Sequence, residues 1–526
     1  MNFVSFQYGC LLLAAFILFW ISPRPWRIRL LFAASYLFYM AWDVRFVALL
    51  LASSTTYYLC GLGIANKQKS PGKIAALALL PGVWLALCSV FEIQGKTVSS
   101  EVLIAAFSFL PVMLGANQLI GKMPSDQGRR KGFLWLALGI NLGLLGFFKY
   151  FNFFAESVGG LVEQFGLSSS WTLTHIILPV GISFYTFQAI SYIVDIKNRK
   201  IEPTDCFITF ATYLAFFPQL IAGPIERSTK LLPQLIAPAK WDISHLHIGL
   251  RLLLIGFFKK LFVADNCAIL ANHVFAADNP EINTAWALLG VLAFAFQIYG
   301  DFSGYSDIAR GSARLLGIEL SLNFRFPYFA LNPSEFWRRW HITLSTWFRD
   351  YVYIPLGGNQ GDWGATCRNL AIAMVLAGLW HGAAWTFILW GAYHACLLMA
   401  FHYSPRWQQA CESGRAAKLA CWIGMCGLTL IGWAIFRSDS MFQFYLWFTG
   451  IFQWQVTGAM EWEKPARWLL LHIGPLLLLQ WATLKERDEA SLDHHHWATR
   501  GFIYLLLFVF TATSMVNDQE FIYFQF

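Results

Sequence analysis

Apolar and polar positions alternate along this chain in long blocks. Apolar runs lie near 8–21, 30–42, 46–65, 74–91, 102–120, 132–151 and 173–194, each followed by a short polar loop. Further runs fall near 248–264, 285–299, 369–402, 418–436, 466–484 and 501–516, the 369–402 run being long enough to contain a break. Two stretches fit no lipid-facing helix. Residues 207–225 are apolar but interrupted by Pro218, Gly223 and Pro224, and residues 333–356 carry Arg338, Arg339, His341, Arg349 and Asp350. Broken or polar backbone at membrane depth survives only inside protein or beside a water-filled cavity. Both stretches are therefore expected to be re-entrant or interfacial elements around a central cavity. The pattern predicts an all-α, polytopic integral membrane protein with about 11–14 transmembrane or re-entrant helices, at roughly 20 residues per crossing. Residues 1–526 read as a single membrane-embedded domain: N-terminal helices over 1–170, a core over 171–404 and C-terminal helices over 405–526.

Composition agrees. Hydrophobic residues make up 57% of the 526 and charged residues only 13%, against about 25% charged in a soluble chain. A soluble surface needs solvated charge; a lipid-facing one does not. The net charge of +8 would point to nucleic acid in a soluble protein. Here the basic residues cluster in loops, so the expected partner is the lipid bilayer and not nucleic acid. Arg24/Arg27/Arg29, Lys67/Lys69/Lys73, Lys122/Arg129/Arg130/Lys131 and Lys197/Arg199/Lys200 fall in every second loop. Positive loops stay cytoplasmic, which predicts an N-terminus on the outer side. No Lys or Arg precedes the first run, so it reads as a retained helix rather than a secretory signal. The ten cysteines are scattered through apolar runs without a C-x-x-C pair and indicate neither a disulfide framework nor a zinc cluster.

The segment 332–356 carries the densest chemistry. Asn332 suits a helix N-cap, Pro333 the first helical position, and Glu335 a capping box. Trp337, Trp340, Leu344, Trp347 and Tyr351 then recur at three- and four-residue spacing, predicting one aromatic stripe on a helix. Arg338 and Arg349 are placed by the same spacing on another face, and His341 beside the stripe. The segment reads either as an interfacial amphipathic helix whose arginines meet lipid phosphates or as part of a site. A second locus bears on the choice. Residues 369–404 contain no Asp, Glu, Lys or Arg, yet His381 lies among them, flanked by Gly378 and Gly382. A titratable group in such a run is costly and is a functional candidate by default. His394 and His402 share the run and are weaker candidates, His394 being expected to face another way.

Other patterns carry less. His273 to Asp278 has an H-x-x-x-x-D spacing that two fixed residues meet easily by chance. His494, His495 and His496 sit in a polar loop and read as a solvated cluster, so no metal site is expected. The serine of GDFSG at 300–304 is one position late for a nucleophile elbow, and no phosphate-binding glycine motif is present.

Around the two histidines the chain resembles the membrane-bound O-acyltransferase (MBOAT) family, in particular its bacterial branch that includes the membrane subunit of alginate O-acetylation. The matching stretches are LPVGISFYTFQAISYIVD (178–195), YLAFFPQLIAGPI (213–225), QIYGDFSGYSDIARG (297–311), NFRFPYFALNPSEFWRRWHITLSTWFRDYVYIPLGGN (323–359), GLWHGAAWTFILWGAYH (378–394) and FIYFQF (521–526). The first 170 or so residues match only in hydropathy. The resemblance implies that His381 is the family's active-site histidine and His341 its second functional histidine. It implies an acyl donor on the cytoplasmic side, a passage through the membrane core, the bacterial inner membrane as location, and a periplasmic partner of SGNH-type esterase/transferase fold that places the group on a polysaccharide hydroxyl.

These readings combine into an expected mechanism. The donor is an acyl thioester, acetyl-CoA or similar, with no tightly bound cofactor. His381 is the expected general base, since histidine's ordinary pKa lies near neutrality. His341 orients the donor, assists proton transfer or stabilises developing negative charge; sequence does not choose. Arg338, Arg339 and Arg349 either attract donor phosphates or anchor the helix in lipid headgroups. Trp337 joins them as a candidate substrate contact. Asp301 and Tyr305, with Asp307, lie at an expected helix end and shape the cavity. Competing functions are transfer of D-alanyl or another acyl group, a transporter with the histidines as a proton relay, and a structural scaffold.

Overall fold

The computed structural model describes residues 2–165, 176–221, 223–276, 283–453, 462–486 and 488–514. The closing FIYFQF and Asp278 of the H-x-x-x-x-D pattern lie outside the described residues. Within the described residues every regular element is helical. Six helical stretches there are long and apolar enough to cross a membrane: Val44–Ile64, Pro71–Val90, Ser100–Gly121, Asp126–Gln164, Thr284–Leu315 and Arg415–Arg437, with Phe6–Ile21 and Trp497–Thr513 shorter. The chain is a multi-pass membrane protein. It divides into two compact units, Met1–Gly249 with Ser312–Leu320, and Leu250–Gly311 with Ser321–Phe526.

The first unit holds α1 (Phe6–Ile21), α2 (Arg24–Met40), α3 (Val47–Ile64), α4 (Pro71–Val90), α5 (Ser100–Gly121), α6 (Asp126–Leu145), α7 (Phe151–Gln164), α8 (Ile182–Lys197), α9 (Phe207–Ala215) and α10 (Ser228–Ile236). Local signals set several of the boundaries. The Ser5 and Ser125 side chains accept from the backbone N–H groups of Tyr8 and Gly128, and Pro71 opens α4, where its missing N–H costs nothing. The interior of this unit is α3, buried along almost its whole length. Ser53 on α3 donates to Asn141 Oδ1 on α6 at 2.6 Å, which satisfies two polar groups that lipid would leave unpaired. By contrast α5 buries only Met113, and exposes Ile104, Phe107 and Leu119, the surface expected of a lipid-facing helix. The expected interruption in 207–225 is present: α9 stops at Ala215, and the described residues of 216–227 run without regular helix.

In the second unit, α11 (Ile243–Phe257), which enters it at Leu250, passes through a π-helical turn at Phe258–Ala264 into α12 (Asp265–Val274). The helix α13 (Thr284–Leu315) is twice as long as the 285–299 run, so Asp301, Tyr305 and Asp307 lie inside a helix and not at its end. A Cβ at Gly256 would meet the Gly304 carbonyl oxygen, and one at Gly304 the Gly256 oxygen, both at 2.8 Å. The two backbones therefore touch, a small-residue contact of the kind that packs membrane helices.

The 333–356 segment departs from the single helix its periodicity predicts. It forms α14 (Pro333–Arg339), then breaks at Trp340–His341, resumes as α15 (Ile342–Phe348), and widens into a π-turn at Arg349–Tyr353. His341 takes φ 41° and ψ 54°, the left-handed region that costs an L-residue roughly 1–2 kcal/mol. The aromatic stripe is thus divided between two short helices, and Arg338 and Arg349 are not on one continuous helical face. The 369–402 run is broken, as expected, into α16 (Trp363–His381) and α17 (Trp385–His402). A Cβ at Gly378 or Gly391 would strike backbone of the facing helix, so this hairpin closes only with glycine at both positions. After it come α18 (Pro405–Glu412), α19 (Arg415–Arg437), α20 (Met441–Gly450), α21 (Glu463–Thr483) and α22 (Trp497–Thr513).

Candidate active site

The site is assembled from the α14–α15 break, the end of α16, and the middle of α13. Asn332 caps α14 by accepting from Glu335 N at 2.8 Å, and the Glu335 carboxylate returns to accept from Leu331 N at 2.8 Å. That is the expected capping box with its return bond one residue earlier. α14 ends where Trp340 N donates to Phe336 O. Two backbone bonds then hold the broken chain against the 323–326 segment: Arg325 N donates to Arg339 O, and Ile342 N to Asn323 O, each at 2.9 Å.

These bonds carry His341 into the interior, where its ring is 0% exposed. Its Nδ1 lies 3.1 Å from Asn323 Oδ1. The same oxygen accepts from Thr343 Oγ1 at 2.9 Å and Thr343 N at 3.3 Å, while Asn323 Nδ2 donates to Ser306 Oγ at 3.2 Å. Phe302 meets the His341 ring edge-on at 4.6 Å, and Trp380 at 5.8 Å. His381, 4% exposed, has its ring centroid 6.4 Å from that of His341. It is enclosed by Trp380, Trp390 and Phe436 at 4.9, 5.1 and 5.3 Å. The structure therefore brings together the two histidines that the sequence singles out, from helices some forty residues apart, inside an aromatic box.

A cavity of about 290 Å³ is lined by Trp337, Arg338, Ile342, Arg349, Met374 and Ala377 among others; it reaches the chain neighbour of His341 and the turn before His381, and neither histidine lines it. Three of the expected substrate contacts, Trp337, Arg338 and Arg349, share it. Both arginines are solvent-exposed; Arg349 pairs with Asp350 at 2.7 Å and Arg338 bonds Ser334 of its own helix. Arg339 turns instead to Glu335 at 2.5 Å and to the Phe326 carbonyl. The interior of the cavity is mostly apolar and its charge lies at exposed positions, which suits a ligand with a hydrophobic or neutral reacting end and an anionic tail.

Asp301 and Tyr305 belong to a different cluster. Lys260 lies 2.8 Å from both Asp301 and Asp265, with Tyr305's ring 5.7 Å from its Nζ. Next to it Lys259 pairs with Asp307 at 2.8 Å and Glu489 at 3.3 Å, and Arg310 pairs with Asp307 and Asp488. Glu489 also accepts from Tyr299 Oη and Phe326 N. Asp488 sits in the loop after α21. Burial would raise its carboxyl, but Arg310 and the Ala490 N–H hold it below the ordinary carboxylate range. Sequence reading passed over Lys259, Lys260, Asn323 and Glu489. For the lysines a signal existed, since two adjacent charges inside an apolar run are as unusual as a histidine there. His394 is 2% exposed and packs on Trp390 and Trp337 at 4.7 and 5.1 Å, so Trp390 joins it to His381. His494, His495 and His496 take three separate partners, Glu486, the Ala482 carbonyl and Ala498 N. His273 packs on Trp286.

A helical membrane protein with two buried histidines beside a charged-mouthed cavity matches the family model described as MBOAT, membrane-bound O-acyltransferase family, over residues 200–434. The chain belongs to that family and is a membrane acyltransferase. It is 37% identical over 426 residues to the "Probable alginate O-acetylase AlgI" of Azotobacter vinelandii, covering 81% of this chain and 72% of that protein. The protein of the same name from Pseudomonas aeruginosa is 42% identical over 346 residues, 65% of each chain. The peptidoglycan O-acetyltransferase of Helicobacter pylori is 34% identical over 396 residues, 69% of this chain and 72% of that one.

Proposed function

We propose that this acyltransferase moves an acetyl group from a cytoplasmic thioester, acetyl-CoA or a similar donor, toward O-acetylation of an alginate-like extracytoplasmic polysaccharide. It sits in the bacterial inner membrane with its N-terminus on the periplasmic side, the orientation that the loop charges favour. A periplasmic partner of SGNH-type fold completes delivery to the sugar. The observation that carries the chemistry is the pair of buried histidine rings 6.4 Å apart beside a cavity with two exposed arginines. The acetyl cargo and polysaccharide destination draw on the names of the relatives, alginate O-acetylase and peptidoglycan O-acetyltransferase.

In the reaction His381 takes the proton from an acceptor hydroxyl as its oxygen attacks the thioester carbonyl. A C–O bond forms, the C–S bond breaks, and the departing thiolate takes the proton back from the imidazolium. General-base assistance of this kind is worth about 10²–10⁴-fold. Arg338 and Arg349 hold the phosphates of the donor by charge-assisted hydrogen bonds. Mass spectrometry of cell-envelope polymers with and without the protein tests the proposal. One polysaccharide is expected to lose acetyl ester and to regain it with the wild-type chain. Loss of D-alanyl or another ester in place of acetyl would reassign the cargo, and unchanged esters would remove the proposal.

A further inference from the structure

We infer that Asn323 is a positioning residue of the transfer reaction, holding His341 as its Nδ1–H tautomer so that Nε2 is left as a proton acceptor. The inference rests on the reading of His341 and His381 as an acyl-transfer pair. The orientation of the Asn323 amide follows from its partners. Thr343 N can only donate, and it points at the same atom as the Thr343 hydroxyl, so that atom is the oxygen. Nδ2 on the other side donates to Ser306 Oγ. An amide oxygen only accepts, so the His341 Nδ1 that lies 3.1 Å from it carries the proton. In a neutral imidazole the other nitrogen is then bare. His341 Nε2 is buried without a hydrogen-bond partner among the described residues, on a residue held in the left-handed region by bonds to the same asparagine.

This arrangement selects one of His341's three candidate roles. A ring whose single N–H is committed to Asn323 has none to offer a developing oxyanion. A bare, buried Nε2 does have a lone pair to receive a proton. Orienting the donor would need no particular tautomer, whereas proton acceptance does. The network thus makes His341 a second proton acceptor beside His381. The device works like the carbonyl or carboxylate that sets the tautomer of many functional histidines, with a neutral amide in that position. A neutral partner fixes the tautomer without attracting a proton onto the ring.

The test uses the purified full chain in liposomes with acetyl-CoA as donor, comparing wild type, Asn323→Asp and Asn323→Leu. Asp is isosteric, and the Ser306 hydroxyl can rotate to donate to its new oxygen, so this variant keeps the fold. The ring contacts of His341 are Phe302, Phe324, Trp380 and His381, and His381, the one titratable group among them, is unchanged in every variant. A carboxylate against Nδ1–H stabilises the imidazolium, so the acidic limb of the kcat–pH profile is expected to move up by about 1–3 pH units. Asn323→Leu is expected to lower kcat with KM unchanged. An unmoved limb in Asn323→Asp, or wild-type kcat in Asn323→Leu, would overturn the inference. Histidine ¹⁵N spectra separate it from the broader functional proposal: wild-type His341 is expected as Nδ1–H even if no thioester is consumed, and an Nε2–H signal would overturn it.

Discussion

Two buried polar regions of the second unit make opposite use of the same resource. Around Lys259 and Lys260, each charge is matched by charges of the other sign: Asp307 and Glu489 for one, Asp265 and Asp301 for the other. Around His341 the neighbours are Asn323, Phe302, Phe324, Trp380 and His381, and among the described residues its Nε2 is left bare. Each region also holds one strained backbone residue. Phe326, at φ 48°, is fixed by its N–H on Glu489, and His341, at φ 41°, by the Asn323 segment. The difference separates architecture from chemistry. Opposed charges in a low-dielectric interior lock helices together, whereas the bare nitrogen of His341 is free to accept a proton.

The largest contrast is expected from His381→Ala, which should lower acyl transfer by about 10²–10⁴-fold while the protein remains folded and inserted. Lys259→Met should do the reverse. Stranding Glu489 in the interior, since Asp307 keeps Arg310, costs about 3–5 kcal/mol, read as a fall in midpoint and in inserted protein, while any surviving protein keeps its histidine pair and its pH profile. Equal loss of activity and stability in both variants would erase the distinction. Next in size is the arginine pair: Arg338→Ala with Arg349→Ala should raise KM for a coenzyme A thioester about 10–100-fold, from the roughly 1.5–3 kcal/mol of a hydrogen bond to a charged group, and leave kcat alone. A KM unchanged by the double substitution would assign both arginines to lipid. Smallest is a backbone effect. His341→Gly and His341→Ala should be equally impaired in transfer, but the glycine variant should be more stable by about 1–2 kcal/mol, the left-handed strain it relieves.

Much of this architecture was legible in the order of residues. Spans such as 46–65, 74–91 and 102–120 reappear as α3, α4 and α5 within a few residues, because a helix long enough to cross the membrane writes its length into hydropathy whether it is buried, as α3 is, or lipid-facing, as α5 is. The two histidines stood out because one lay in an uncharged run and the other after a well-marked cap. What escaped was decided by distant chain. The three- and four-residue spacing runs unbroken through Trp340 and His341, and only the bonds from residues 323–325 break the helix there. α13 seemed to end at its first acid, yet it continues because Asp301 and Asp307 meet lysines from α11's π-turn. His394 was assigned to another face by counting thirteen residues along one helix, whereas the turn between α16 and α17 reverses the chain and brings it back to Trp390.

The central claim is that the His341–His381 pair is a site of acyl transfer and not a packing feature. Its most direct measurement is single-turnover release of free thiol from acetyl-CoA by the purified chain in liposomes with an acceptor hydroxyl, for wild type, His381→Ala and His341→Ala. The account predicts thiol release coupled to ester formation in the wild type, and a loss of at least about 100-fold in both variants as folded, inserted protein. Release within threefold of wild type by a folded His381→Ala protein would contradict it.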